Sequence, residues 1–199
     1  MSEQLSAFIN ATVPGRSDRG FSLVELLFVI VILGILTSIA LPRINVATYR
    51  ANSGAQVVAA TLAYAQRQAI SRQADTRVAF DMPNNRLRIH EDENNDNVID
   101  GDERVTSTPL PEAVVFGRGS APARDIGADV ITFTRTQDGM PVVIFRRDGT
   151  ASEAGGVYLS TVVGLAEDRS ADVRAVEVSR ATGRAAWFSF ATGAWKAGN

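Results

Sequence analysis

The longest apolar run in the chain predicts a helix over residues 21–41. Residues 26–36 are apolar without interruption, and Glu25 stands immediately before them. A helix of this length would measure roughly 30 Å, about the thickness of the hydrocarbon core of a bilayer. We therefore expect residues 21–41 to form a transmembrane helix. An ionised Glu in such a segment is costly, so Glu25 needs either a cationic partner or a function.

A second, amphipathic helix is predicted over residues 45–75. Small apolar residues recur along it at steps of three or four, namely at Val58, Leu62, Ala65 and Ala69. This spacing is typical of one buried helix face. Pro42 predicts a bend between the two segments, because proline cannot donate its backbone hydrogen bond. Residues 21–75 are thus interpreted as one long helix whose second half packs on other structure.

From residue 76 the pattern changes to short alternating runs separated by Gly, Pro, Asn and Asp, which predicts an antiparallel sheet of several strands. The predicted strands are 76–81, 86–91, 113–117, 129–134, 142–147, 155–161, 172–180 and 184–190. Arg88 and His90 fall on the wet face of the second strand. The fold class is therefore α+β, with a long N-terminal helix packed on a β-rich globular domain over residues 76–199.

Composition agrees with one membrane-anchored globular domain. The chain has 199 residues, is 45% hydrophobic and 21% charged, and carries a net charge of -2. No basic excess points to nucleic acid or to an anionic membrane surface. There is no cysteine, so disulfides and a thiol nucleophile are excluded and folding depends on the core alone.

The residues around Glu25 resemble the processing and assembly signal of type IV pilins and pseudopilins. Gly20 and Phe21 precede Glu25, and the apolar helix follows it, with Gly34 at a place where such helices often carry glycine. The resemblance implies that residues 1–20 are a leader, that a prepilin peptidase cuts between Gly20 and Phe21, and that the new amine of Phe21 is methylated. Glu25 would then neutralise the positively charged N-terminus of a neighbouring subunit during filament assembly.

Two other interpretations of the N-terminus are an ordinary secretory signal peptide and a plain membrane anchor. Residues 37–40 could serve as a small-residue cleavage site, which would start the mature chain at Leu41. However, residues 1–20 lack the net positive charge of a secretory signal, and the apolar run continues beyond residue 36. Glu25 would also weaken a secretory signal without benefit.

Three segments of the last third resemble the C-terminal pattern of the GspH/FimT pseudopilin family. Phe145 and Gly149 form its Phe-x-x-x-Gly turn, Gly156 precedes a strand, and residues 182–184 supply Thr-Gly-Arg at the end of another. Pilus-associated members carry a basic Gly-Arg-x-Arg hairpin implicated in DNA uptake. Here that position reads Gly-Arg-Ala-Ala, so the second Arg is missing. Arg180 and Arg184 flank the turn as candidate nucleic-acid contacts, but the pattern favours two solvated arginines.

A separate acidic segment, residues 92–103, matches an EF-hand loop in phase. Its candidate calcium ligands are Asp92, Asn94, Asp96, Asp100 and Glu103. Asn97 replaces the usual glycine, and a strand replaces the usual incoming helix. The segment is therefore either a single calcium loop between strands or a solvated acidic loop. Calcium is the one cofactor that the sequence suggests, and none is required.

No catalytic constellation is present, so an enzyme is not expected. His90 is the sole histidine, and we interpret it as a solvent-facing strand residue. Together the motifs predict a minor pseudopilin of a type II secretion system, held in the inner membrane with its domain in the periplasm and incorporated near the tip of the pseudopilus. Its expected partners are other major and minor pseudopilins, the prepilin peptidase, the inner-membrane secretion platform and membrane lipid. The alternatives are a minor pilin of a type IV pilus and a secreted calcium-binding β-domain.

Overall fold

The structure is a computed structural model that describes residues 21–40, 46–96 and 98–198, without the side chains of 38–40. The leader with Gly20, the bend at Pro42, the alternative start at Leu41 and the loop residue Asn97 lie outside the described residues. The chain divides into two compact units, Met1–Ile44 and Asn45–Asn199.

The described part of the first unit forms one helix, α1, over Leu23–Ala40. It begins at Ser22, whose Oγ accepts a hydrogen bond from the N–H of Val24 (3.3 Å) and whose carbonyl accepts one from Leu26 (3.1 Å). Ser22 is therefore the residue that caps the start of α1. Over the residues that the structure describes, no helix combines the length and the apolarity needed to cross a membrane.

In the described residues of the second unit there are two helices, ten strands and one short 3-10 turn at Ser170–Asp172. The helices are α2 (Val46–Arg72) and α3 (Val162–Ala166). The strands are β1 (Asp75–Asp81), β2 (Arg86–Asp92), β3 (Arg104–Pro109), β4 (Val114–Phe116), β5 (Thr136–Gln137), β6 (Met140–Phe145), β7 (Gly155–Thr161), β8 (Arg174–Val178), β9 (Ala185–Ala191) and β10 (Ala194–Ala197).

These strands form two antiparallel sheets rather than the single sheet expected from the sequence. Sheet A has the order β3-β2-β1-β6-β5 and sheet B the order β10-β9-β8-β7-β4. The strand predicted at 129–134 is wrong. Its alternation reflects a buried loop, in which Ile131 makes only an isolated bridge to Val157 and Phe133 packs in the core.

Helix α2 covers both sheets through the predicted stripe of small apolar residues. Val58, Leu62, Ala65 and Ala69 are all fully buried, and they share one core with side chains from sheets A and B. Close approach is required here, because a Cβ on Gly54 would lie 2.6 Å from a methyl of Val114. Small residues on the stripe therefore let one helix contact two sheets at once.

A buried arginine ties the first turns of α2 to sheet B. Arg174 is 2% exposed; its Nε donates to Asn52 of α2 (2.6 Å), and it donates to the backbone carbonyls of Ala171 (2.8 Å) and Val173 (2.7 Å). Burial lowers the pKa of Arg174, and the nearby carboxylate of Asp172 opposes this shift. Arg174 lies on the same face of β8 as Val176, under α2, and is not on a solvated face.

Candidate functional site

The N-terminal candidate residues lie at the start of α1. Phe21 is exposed, and Glu25 is an exposed carboxylate in the first helical turn. Among the described residues, no hydrogen bond or ion pair joins Glu25 to a cation. An exposed carboxylate beside apolar side chains is chemically suited to accept a cation from another molecule. Gly20, the other processing residue, lies outside the described part of the chain.

The C-terminal motif forms a junction between two turns and α2, which we call the hairpin junction (Gln66, Arg146–Thr150 and Ser179–Arg184). The Nε2 of Gln66 donates to the carbonyls of Gly149 (2.7 Å) and Thr182 (2.6 Å). The backbone N–H of Ala151 donates to the carbonyl of Arg180 (2.9 Å), which joins the two turns directly. One side chain of α2 thus holds both turns at once.

The two motif glycines are explained by this junction. Gly149 and Gly183 have φ values of +84° and +62°, a region that glycine adopts at least cost. A Cβ on Gly183 would also lie 2.1 Å from the carbonyl oxygen of Gly149 and 2.6 Å from Nε2 of Gln66. Phe145, at the start of the first turn, is fully buried in the main core. The motif therefore has a structural role, which is to hold the two turns and α2 together.

The first turn is also stabilised by its own side chains. The Oδ1 of Asp148 accepts from the backbone N–H of Thr150 (2.9 Å) and from its hydroxyl (2.7 Å). The Thr150 hydroxyl and then its N–H hold the pKa of the exposed Asp148 carboxyl below its usual value. This turn needs no ligand to keep its shape.

The candidate nucleic-acid contacts lie at the edge of the junction. Arg180 and Arg184 are exposed, and Arg146 and Arg147 of the other turn are exposed close by. None of the four makes an ion pair within the described residues. Arg146, which the sequence analysis did not consider, lines one cavity with Arg180, whereas Arg184 lines a separate one. The nucleic-acid role stays a prediction.

The acidic loop, residues 92–103, is closed by hydrogen bonds of its own side chains. Asp92 and Asn94 both accept from the N–H of Asp96 (3.1 and 3.0 Å), and the amide of Asn94 donates to Asp96 (2.9 Å) and Asp100 (3.0 Å). Asp92 is buried and paired with Arg77 of β1 (2.8 Å). Within the described residues, no three His, Cys, Asp or Glu side chains are placed to hold a metal ion. Calcium binding stays a prediction.

The last predicted ligand, Glu103, is held by the histidine of β2. His90 is fully buried, so its assignment to a solvent-facing position is wrong. With Nε2 protonated, His90 donates to Glu103 Oε2 (2.6 Å) and its Nδ1 accepts from Gln137 of β5 (3.1 Å). The hydrogen bond from His90 holds the pKa of Glu103 below its usual value. The side chains of Gln137 and Glu103 thus cover His90.

Glu103 in turn fixes the ends of the acidic loop, because its carboxylate accepts from the backbone N–H groups of Glu93 (2.9 Å) and Asp100 (3.1 Å). Sequence reasoning missed Gln66, Gln137 and the role of His90, since each acts through a partner far away in the chain. A lone histidine next to an acidic loop was the only available signal.

Comparison with known families matches both parts of the chain. The prokaryotic N-terminal methylation motif matches residues 15–41, and the type II transport protein GspH family matches residues 54–183, more than half of the chain. No curated protein matches the chain. The fold and the first match define a pilin-like protein with an N-terminal methylation motif.

Two solved structures of the minor pseudopilin EpsH from the type II secretion system of Vibrio cholerae also align. One is 12% identical with a TM-score of 0.32 and covers 72% of this chain and 91% of that chain. The other is 14% identical with a TM-score of 0.36 and covers 75% and 94%. The assignment rests on the family match: the chain belongs to the type II transport protein GspH family.

Proposed function

We propose that this protein is a minor pseudopilin of a type II secretion system, a structural subunit near the tip of the periplasmic pseudopilus that supports the secretion of other proteins. The observation that carries the proposal is the combination of a methylation motif around Glu25 with a GspH domain over residues 54–183. The hairpin junction supports it, because the family motif holds α2 against turns from both sheets, as expected of a structural subunit. The protein therefore acts through its contacts with other subunits.

Maturation begins in the inner membrane. In the proposal, residues 21–41 hold the precursor there as a transmembrane helix, with the β-rich domain of residues 76–199 in the periplasm. The prepilin peptidase cuts between Gly20 and Phe21 and methylates the new amine of Phe21. The methylation motif covers this position. The apolar side chains of α1 are exposed, so they need either lipid or neighbouring subunits around them.

Glu25 then directs assembly. When the subunit leaves the bilayer, its carboxylate pairs with the positively charged N-terminus of a neighbouring pseudopilin. A buried pair of this kind fixes register, because either charge left alone away from water is strongly unfavourable. The structure leaves the Glu25 side chain exposed in the first turn of α1, where another chain can reach it.

Intact-mass analysis of the protein purified from membranes tests the maturation step. The expected mass is that of residues 21–199 plus one methyl group. A chain that starts at Leu41 would instead support a secretory signal peptide and would overturn the proposal. Changing Gly20 to a large residue is expected to leave an uncut precursor in the membrane.

The assembly step is tested by Glu25→Ala and the isosteric Glu25→Gln. Both are expected to be cut and methylated normally but to enter filaments poorly beside wild-type partners, and to restore secretion poorly in a strain that lacks the protein. Glu25→Asp is the matched control, because it keeps the charge. Full incorporation of Glu25→Gln would contradict the pairing mechanism.

A further inference from the structure

Strand β3 (Arg104–Pro109) is an open edge of sheet A. Five of its six residues are exposed, with Thr108 half-buried. Both faces of the strand therefore face solvent, and no described residue covers its free side. Edge strands expose unpaired backbone groups, and natural proteins usually protect them with short length, lysine, proline or a bulge.

The other three sheet edges have such protection and β3 has little. Strands β5 and β4 are only two and three residues long. Strand β10 has four residues, and one of them is Lys196, the only lysine in the chain. Strand β3 has six residues, and its interior, Val105-Thr106-Ser107-Thr108, has no charge and no proline.

The hydrogen-bond phase of β3 shows which groups are free. The N–H of Leu110 donates to the carbonyl of Asn85 (2.8 Å), and these two residues continue the register in which Thr106 lies opposite Ile89. Bonded residues alternate along an antiparallel strand. Arg104, Thr106 and Thr108 therefore bond to β2, whereas Val105 and Ser107 direct their N–H and C=O groups away from the sheet.

We propose that β3 pairs antiparallel with β3 of a second copy of this chain, about a two-fold axis at Thr106. Val105 then lies opposite Ser107 of the second copy, and the four free backbone groups of each strand form hydrogen bonds. Thr106 lies opposite its own counterpart, a favourable cross-strand pair. Arg104 lies opposite Thr108, so like charges do not meet.

The partner of β3 is a second copy of β3, because this pairing is self-complementary and the other sheet edges are short or carry a lysine. A two-fold contact uses the same patch on both subunits, so a strand whose interior is uncharged and symmetric in its register can pair with its own copy. The result is one continuous ten-stranded sheet made from two copies of the five-stranded sheet A. This contact lies outside α1 and does not involve Glu25.

Disulfide trapping tests the register directly, since the wild-type chain has no cysteine. In Thr106→Cys, the two Cα atoms of the pair would be about 4.5 Å apart, within the range that a disulfide spans. In the matched control Thr108→Cys, the two cysteines would be about 14 Å apart. The full chain in detergent micelles keeps α1 identical in both variants, so association through α1 affects them equally.

The expected result under mild oxidation is at least tenfold more disulfide-linked dimer for Thr106→Cys than for Thr108→Cys. Equal yields, whether high or low, overturn the proposal. Adding Ser107→Pro to Thr106→Cys removes an outward N–H that the fold does not use, and should reduce the dimer to the control yield. Ser107→Ala keeps that N–H and should leave the yield unchanged. If Ser107→Pro leaves it unchanged as well, backbone pairing is refuted.

Discussion

Gly183→Ala is expected to open the hairpin junction. The added Cβ would lie 2.1 Å from the carbonyl oxygen of Gly149 and 2.6 Å from Nε2 of Gln66. A backbone oxygen cannot move aside as a flexible side chain can, so the two turns must separate. The matched control is Gly193→Ala, because Gly193 also has a positive φ (+78°) but a Cβ there meets nothing within 4 Å.

The control isolates the backbone contribution. An alanine in the left-handed region destabilises by about 1 kcal/mol, and Gly193→Ala should lose only this amount. Separating the turns in Gly183→Ala also breaks the two hydrogen bonds from Gln66 and the one between Ala151 and Arg180. At about 1 kcal/mol net for each bond, the expected loss in the free energy of unfolding is about 4 kcal/mol.

Urea unfolding of the full chain in detergent, followed by tryptophan fluorescence, measures both losses. The chain has two tryptophans, Trp187 in β9 and Trp195 in β10, so the signal reports on sheet B next to the junction. Equal free energies of unfolding for Gly183→Ala and Gly193→Ala would refute the account of the junction. A difference of about 3 kcal/mol would support it.

Three further results are expected. The hydrogen bond from His90 lowers the folded-state pKa of Glu103 below its usual 4.5, so this carboxylate stabilises the fold above pH 4.5, and that stabilisation is lost as the pH falls through the folded pKa. Glu103→Gln should therefore flatten the fall in melting temperature below about pH 4.5. An unchanged pH profile would contradict a stabilising His90–Glu103 hydrogen bond. Millimolar Ca²⁺ tests the predicted calcium loop: a rise in melting temperature that Asp96→Asn abolishes would establish calcium binding, and an unchanged melting temperature would exclude it. Arg174→Met should reduce the free energy of unfolding by about 3–5 kcal/mol, because it leaves buried hydrogen-bond partners unpaired. The control Arg180→Met, at an exposed position, should change it by about 0.5 kcal/mol at most. Equal free energies of unfolding for the two variants would show that the hydrogen bonds of Arg174 are unimportant for stability.

Local periodicity was sufficient to predict the elements that pack through one regular face. Val58, Leu62, Ala65 and Ala69 repeat with the helical period and are all buried. Strand β7 has the predicted bounds, because its apolar run lies between clear breaks in the sequence. The packing partner could be inferred only in general terms. The division into two sheets depends on pairings between distant strands, which a local pattern does not encode.

The missed or wrong predictions concern polar residues that lie in a strand or are buried, where apolar residues are usually found. Strand β3 escaped notice because it buries almost nothing, and its exposed Thr and Ser residues resemble a loop. His90 was placed in solvent because its neighbours alternate, yet Gln137, forty-seven residues later, covers it. Arg174 was not foreseen as a buried anchor for a similar reason, since its partner Asn52 lies in α2.

The candidate sites show the same limit: a contiguous motif could be recognised from the sequence, whereas a contact between distant residues could not. The processing motif around Glu25 was readable because it is contiguous, and the family match covers it. The meaning of Gly149 and Gly183 required the structure, since the two glycines meet only after both turns fold onto Gln66. A sequence shows which glycines are present but not which carbonyl each one approaches.

The two polar anchors of α2 have a mechanical consequence. Asn52, bonded to Arg174, and Gln66, bonded to both turns, are fourteen residues apart, which is about 21 Å along the helix axis. A force along the axis of α2 would act in shear on the hydrogen bonds of Asn52 and Gln66 at the same time, so they would have to break together. In a fibre whose subunits are pulled by their N-terminal helices, this arrangement would spread tension over two sheets and keep the domain folded while the fibre moves.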